Sequence, residues 1–196
     1  DIGGPTSTFL RRQIAAGVYQ PLDRSLLPHW SNLDPDLMAA AAVDDPDNAH
    51  AAIYLWGTNG IGYNVDKVAE RLGDDAPTDS WALVFDPEVA AKLSDCGITM
   101  LDTASEMVPL ALNYLGLPPD STESGDLDKV RALFAAIRPN VRYFNAAQYN
   151  TDLANGEVCV SVGFSGDVFI AQETAANAGQ GVEIAYSVPK EGAMVW

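Results

Sequence analysis

The chain has 196 residues, is 47% hydrophobic, and carries 27 acidic against 11 basic side chains, a formal net charge of −16 with an isoelectric point near 4.1. That length and apolar content can bury a real core, in one large domain or two small ones. The charge argues against nucleic acid or an anionic membrane surface as partner, and it concentrates cationic ligands by long-range attraction.

In chain order, Thr6 or Ser7 can cap a helix through Phe9, Leu10, Ile14 and Ala15, with Gly17 in the position just beyond its end. After a loop holding Pro21 and Pro28, Asp34 and Pro35 open a short helix from Asp36 to Ala42. Ala52–Trp56 reads as a strand, and Gly57, Gly60 and Gly62 as a flexible, hinge-like crossing. Their spacing is not that of a dinucleotide loop. A helix over Val65–Leu72 follows, then one from Asp86-Pro87 to Leu93, a strand Gly97–Leu101, and helices Thr103–Leu115 and Leu127–Ile137. Val141–Phe144 is a strand, Gln148–Ala154 a helix, and Val182–Val188 a closing strand. The alternation predicts an α/β fold, a parallel or mixed sheet with helices on both faces. No leader and no apolar run of about 18 residues is visible, so direct membrane insertion is not expected. The residues at both ends read as interrupted strands, so an internal segment of a longer protein is expected.

Two strand-to-helix junctions carry the chemistry. In the first, Val158, Val160 and Val162 alternate with smaller residues, Gly163 breaks the run, and the spacing turns helical from Ser165. Ligands of open α/β sheets collect at the carboxyl ends of strands, which is where Phe164 and Asp167 fall. An Asp in a first helical turn is stabilised by the helix dipole, although this is also the ordinary place of a capping residue. A carboxylate beside an aromatic face is a seat for a cation. In the second, Ile98–Leu101 runs into a helix with Asp102 or Thr103 as cap and Glu106 in its opening turn, where it either closes a capping box or faces a cleft. A carboxylate pair, Glu106 and Asp167, is also the equipment of a carbohydrate-active hydrolase. His29 and His50 have no neighbours at metal-ligand or triad spacing, so no metal or cofactor is expected. Cys96 and Cys159 both begin sheet strands, either as free buried thiols or as partners in a bridge.

The segments Ala15-Ala-Gly-Val-Tyr-Gln-Pro-Leu-Asp23, Gly60-Ile-Gly-Tyr-Asn-Val-Asp-Lys67, Leu112-Asn-Tyr-Leu-Gly116, Asp152-Leu-Ala-Asn-Gly156, Gly166-Asp-Val168 and Pro189-Lys-Glu-Gly-Ala-Met194 resemble the periplasmic polyamine-binding proteins of ABC transporters, closest to the putrescine-binding branch. The resemblance implies a two-lobed type II periplasmic binding protein fold, here a partial chain with mixed sheets and flanking helices. Residues 1–54 would be part of the first lobe, 55–188 the second, and 189–196 a strand crossing back. It implies a non-enzymatic protein that captures putrescine or spermidine in the periplasm and passes it to a membrane permease. The family's amine-binding positions fall on Thr6, Glu106, Phe164, Asp167 and Trp196; the family usually has Ser at the first, Trp at the third and often Phe at the last. Its Trp-Ser-Asp-Tyr stretch would precede Asp1, and a further binding Asp would follow Trp196. With a periplasmic location implied, a Cys96–Cys159 disulfide is expected.

Overall fold

The computed structural model describes residues 3–195, the Thr8 side chain excepted. Trp196 therefore lies outside the described residues. The chain divides into two compact units, 3–56 and Gly57–Val195.

The first unit contains helix α1 (Ser7–Ala15), helix α2 (Pro35–Ala41) and 3-10 turns at Arg24–Leu26, Trp30–Asn32 and Pro46–Asn48. Thr6 sits at the N-cap of α1 in extended conformation, but its side chain makes no capping hydrogen bond. Gly17 terminates the helix at φ 71°, as its placement predicted. The Asp34 carboxylate accepts from the Asp36 and Leu37 amides, and Pro35 takes the first helical position, where its missing N–H costs nothing. Polar contacts organise the rest. Arg24 lies 4.4 Å over the Trp30 ring and donates to the Asp47 and Asn48 carbonyls. Buried Asp45 accepts from the His50 and Ala51 amides and from His50 Nδ1 at 2.9 Å. His50 is thus a carboxylate partner rather than a simple surface residue. The expected strand Ala52–Trp56 does not form: the backbone there is irregular, and Tyr54 is 89% exposed. A strand needs a ladder for its N–H and C=O groups, and this stretch has no such ladder among the described residues.

The second unit is built on a five-stranded mixed sheet of order β3-β2-β4-β1-β5. Its strands are β1 (Asn59–Asn64), β2 (Ile98–Met100), β3 (Val141–Phe144), β4 (Val160–Phe164) and β5 (Ile184–Ser187). β2 runs parallel to both β3 and β4, while β1 is antiparallel to β4 and β5. The flanking helices are α3 (Val65–Leu72), α4 (Ala82–Phe85), α5 (Pro87–Lys92), α6 (Ala104–Tyr114), α7 (Ser124–Ile137), α8 (Tyr149–Ala154) and α9 (Ser165–Ala178). Helix α7 begins at Ser124, three residues before its apolar spacing becomes evident. Ile61, Ile98, Met100, Val160 and Val162 on the strands and Trp81, Phe85, Leu110 and Ile137 on the helices form one buried core.

The passage from Gly57 to Gly62 begins at the boundary between the two units, and Gly60 and Gly62 belong to the sheet of the second. Both lie in β1, where a Cβ at Gly60 would come 2.6 Å from the Ser187 carbonyl oxygen and one at Gly62 2.8 Å from Val168. Neighbours approach both positions too closely for a side chain. Gly163 likewise does not end β4; it is the point at which the Tyr149 ring lies against the strand.

Cys96 and Cys159 form a disulfide with Cα atoms 5.5 Å apart. It ties the turn before β2 to the residue before β4, two strands that run side by side.

Candidate functional site

Because β2 and β4 are adjacent and parallel, the helices that follow them start from the same edge of the sheet. The antiparallel β1 begins at that edge too, with Asn59 opposite Phe164. These three chain passages gather Glu106, Phe164, Asp167 and Asn59.

Glu106 lies in the first turn of α6. Neither Thr103 nor Glu106 completes a capping box; the Glu106 carboxylate accepts instead from Asn59 Nδ2 at 3.2 Å. Burial pushes the Glu106 pKa above its ordinary 4.5, the Asn59 hydrogen bond pulls it down, and the charge of Asp102 adds to the rise. The carboxylate is thus poised to gain from an opposite charge.

Phe164 is the N-cap of α9 and is half-buried, packed against the core. Asp167 follows in the first turn and accepts a hydrogen bond from the Tyr149 hydroxyl at 2.8 Å. The same phenol oxygen accepts the Phe164 N–H at 2.8 Å. Its pKa is driven well up, chiefly by burial and further by Asp167, so it stays a neutral donor.

A second tyrosine holds the start of β1. Tyr186 donates to the Thr58 carbonyl at 2.9 Å and lies 2.7 Å from Thr58 Oγ1. Its single proton is committed to the carbonyl, so the threonine hydroxyl is the donor in the shorter contact. The Thr58 amide donates to Ser165 Oγ at 3.2 Å, and Ser165 N donates to the Thr58 carbonyl at 2.9 Å, pinning β1 to the first turn of α9.

The second unit thus brings Glu106, Phe164 and Asp167 to one sheet edge. Thr6 belongs to the first unit, and Trp196 lies outside the described residues. The positions that sequence reasoning missed are Asn59, Tyr149, Thr58 and Tyr186. Asn59 stood inside a glycine-rich passage read as a hinge, and its partner is 47 residues away. For Tyr149, the signal was its place opposite a strand glycine, which is visible only once α8 packs on β4.

The arrangement offers two carboxylates, each supported by a neutral hydrogen-bond donor, beside an aromatic residue. No group of His, Cys, Asp and Glu among the described residues is placed to hold a metal ion. Among those residues, no helix is long and apolar enough to cross a membrane.

Comparison with known proteins agrees with this architecture. Putrescine-binding periplasmic protein PotF of Escherichia coli is 50% identical over 197 residues, covering 100% of this chain and 53% of the relative. Putrescine-binding periplasmic protein SpuD of Pseudomonas aeruginosa is 51% identical over 193 residues, covering 98% and 53%. The chain spans about half the length of the curated relatives it matches. Among solved structures, the spermidine/putrescine ABC transporter substrate-binding protein PotD from Streptococcus pneumoniae superposes with a TM-score of 0.81 at 26% identity, over 98% of this chain and 54% of that one. The fold is the mixed α/β fold of type II periplasmic binding proteins. The sequence profile of bacterial extracellular solute-binding proteins matches residues 5–196, and the chain belongs to that family.

Proposed function

We propose that the protein captures a linear polyamine, putrescine first and spermidine second, outside the inner membrane and delivers it to an ABC transporter permease. The observation that carries this reading is the pair of supported carboxylates, Glu106 on Asn59 and Asp167 on Tyr149, at one sheet edge beside Phe164. An anion would need bare amides at the starts of α6 and α9; carboxylates in both first turns reverse the local sign. A cation gains from both. Each buried methylene of the ligand adds about 0.8 kcal/mol, and an ammonium over Phe164 about 0.5 to 2 kcal/mol. Thr6 and Trp196 stand as further ligand contacts on the strength of the family resemblance. A periplasmic location agrees with the Cys96–Cys159 disulfide, since such bonds persist in oxidising compartments.

The test is a calorimetric titration of the complete protein against putrescine, cadaverine, spermidine, a monoamine and an uncharged diol of equal length. Saturable binding of the diamines, with the monoamine much weaker and the diol silent, is expected. A diol that competes equally with putrescine would overturn the reading, as would turnover of a glycoside substrate without amine binding.

A further inference from the structure

One polar side chain at this edge is not explained by folding alone. Asn59 is fully buried, it faces Phe164 across the β1–β4 ladder, and its own N–H is satisfied by the Met194 carbonyl at 3.1 Å. Its Nδ2 donates to Glu106 Oε2 at 3.2 Å, but its buried Oδ1 finds no hydrogen-bond partner among the described residues. A buried carbonyl without a donor is a cost to the fold. Turning the amide over would not remove that cost, because Oδ1 would then face Glu106 Oε2, acceptor against acceptor. An ionised Glu106 therefore selects this orientation. The amide serves the carboxylate at the fold's expense, as a functional group does and a purely structural one does not.

We propose that Asn59 is the positioning residue that sets ligand specificity at this end of the site, holding Glu106 by Oε2 so that Oε1 is the oxygen left without a hydrogen bond for the incoming cation. The proposal rests on the polyamine reading above. Its consequence is a choice between two cationic head groups. An ammonium is a point charge with rotatable donors, and one free oxygen suffices for it. A guanidinium is a planar fork that gains most from both oxygens of a carboxylate at once. With one acceptor site of Oε2 taken and the carboxylate held in place, the fork must compete with Asn59 for its second oxygen, so the seat favours ammonium termini over guanidinium termini.

The experiment compares butane-1,4-diamine with its bis-guanidino analogue on the complete protein, so that every terminus reaching Glu106 is of one kind. Asn59→Leu, which deletes both the clamp and the orphan oxygen, is expected to weaken diamine binding about tenfold or more, because the carboxylate is no longer held in place, and to narrow the diamine preference at least about fivefold, because no donor then competes with the fork for Oε2. The Glu106 carboxyl titration, followed by NMR without ligand, is expected to move upward, since the donor that favours the ionised form is gone while Asp102 on the β2–α6 loop is unchanged. In a Glu106→Gln background Asn59→Leu should have no further effect on affinity. Asn59→Ser, whose hydroxyl is too short to reach Glu106, must show the same pattern and serves if the leucine variant does not fold. A parent that binds no diamine overturns the polyamine reading and this proposal together. A parent that binds, with variants that keep its affinity and its head-group preference, overturns the proposal alone. So does a full Asn59→Leu effect in the Glu106→Gln background, which would mark Asn59 as a structural residue.

Discussion

The Tyr149 hydroxyl and the Asp167 carboxylate are joined at 2.8 Å, and the same phenol oxygen receives the Phe164 amide. One buried hydroxyl therefore fixes the charge and the backbone of the aromatic residue beside it. Tyr149→Phe keeps the ring and deletes both bonds, one of them to a carboxylate. Stability should fall by about 1.5 to 3 kcal/mol in urea denaturation, and amine affinity should fall about tenfold as Asp167 loses its orientation.

Gly163 makes that arrangement possible. A Cβ there would lie 2.5 Å from Tyr149 Cζ and 2.7 Å from its hydroxyl oxygen, closer than packed atoms come. Gly163→Ala should displace the ring, cost about 1 to 3 kcal/mol through overpacking, and reduce amine affinity in parallel with Tyr149→Phe. Unchanged affinity in a variant that folds would show that the ring position does not matter to the ligand.

The disulfide closes 63 residues of sequence separation. In the chain-entropy model a loop of that size stabilises by about 4 kcal/mol. The paired Cys96→Ala, Cys159→Ala variant should lower the urea midpoint, and added reductant should lower that of the parent but leave the variant's unmoved. Two titratable thiols in the unreduced, denatured parent would contradict the bridge.

Glu106 predicts opposite effects on stability and binding. Its folded pKa lies above the ordinary 4.5, from burial first. Its protonated form therefore favours folding: that contribution is complete below the unfolded pKa and is lost as pH rises through the folded value. At neutral pH Glu106→Gln should leave stability equal or higher. Its amine affinity should drop about a hundredfold or more, as expected for a desolvated ion pair stripped of one partner. Affinity of the parent should fall on acidification through the raised Glu106 midpoint, and Glu106→Gln should lose that dependence.

Much of this was legible from local pattern. The switch from alternating valines to helical spacing placed the β4–α9 junction at the Phe164–Ser165 boundary, and Asp34-Pro35 and Asp86-Pro87 marked two helix starts, because caps and periodicities act over a few residues. That Glu106 and Asp167 lie in the first turns of helices following neighbouring strands was legible from the α/β alternation. Ala52–Trp56 failed for the complementary reason: an apolar run is a strand only if a partner satisfies its backbone, and that partner is not a property of the run itself. The roles of Gly60, Gly62 and Gly163 were also beyond the sequence, which cannot tell a glycine that bends from one that admits Tyr186, Val168 or Tyr149. Asn59 and Tyr149 were decided by tertiary structure alone. Each acts through a hydrogen bond to a carboxylate 47 or 18 residues away, and which donor meets which carboxylate is settled only when the order β3-β2-β4-β1-β5 places their strands and helices side by side.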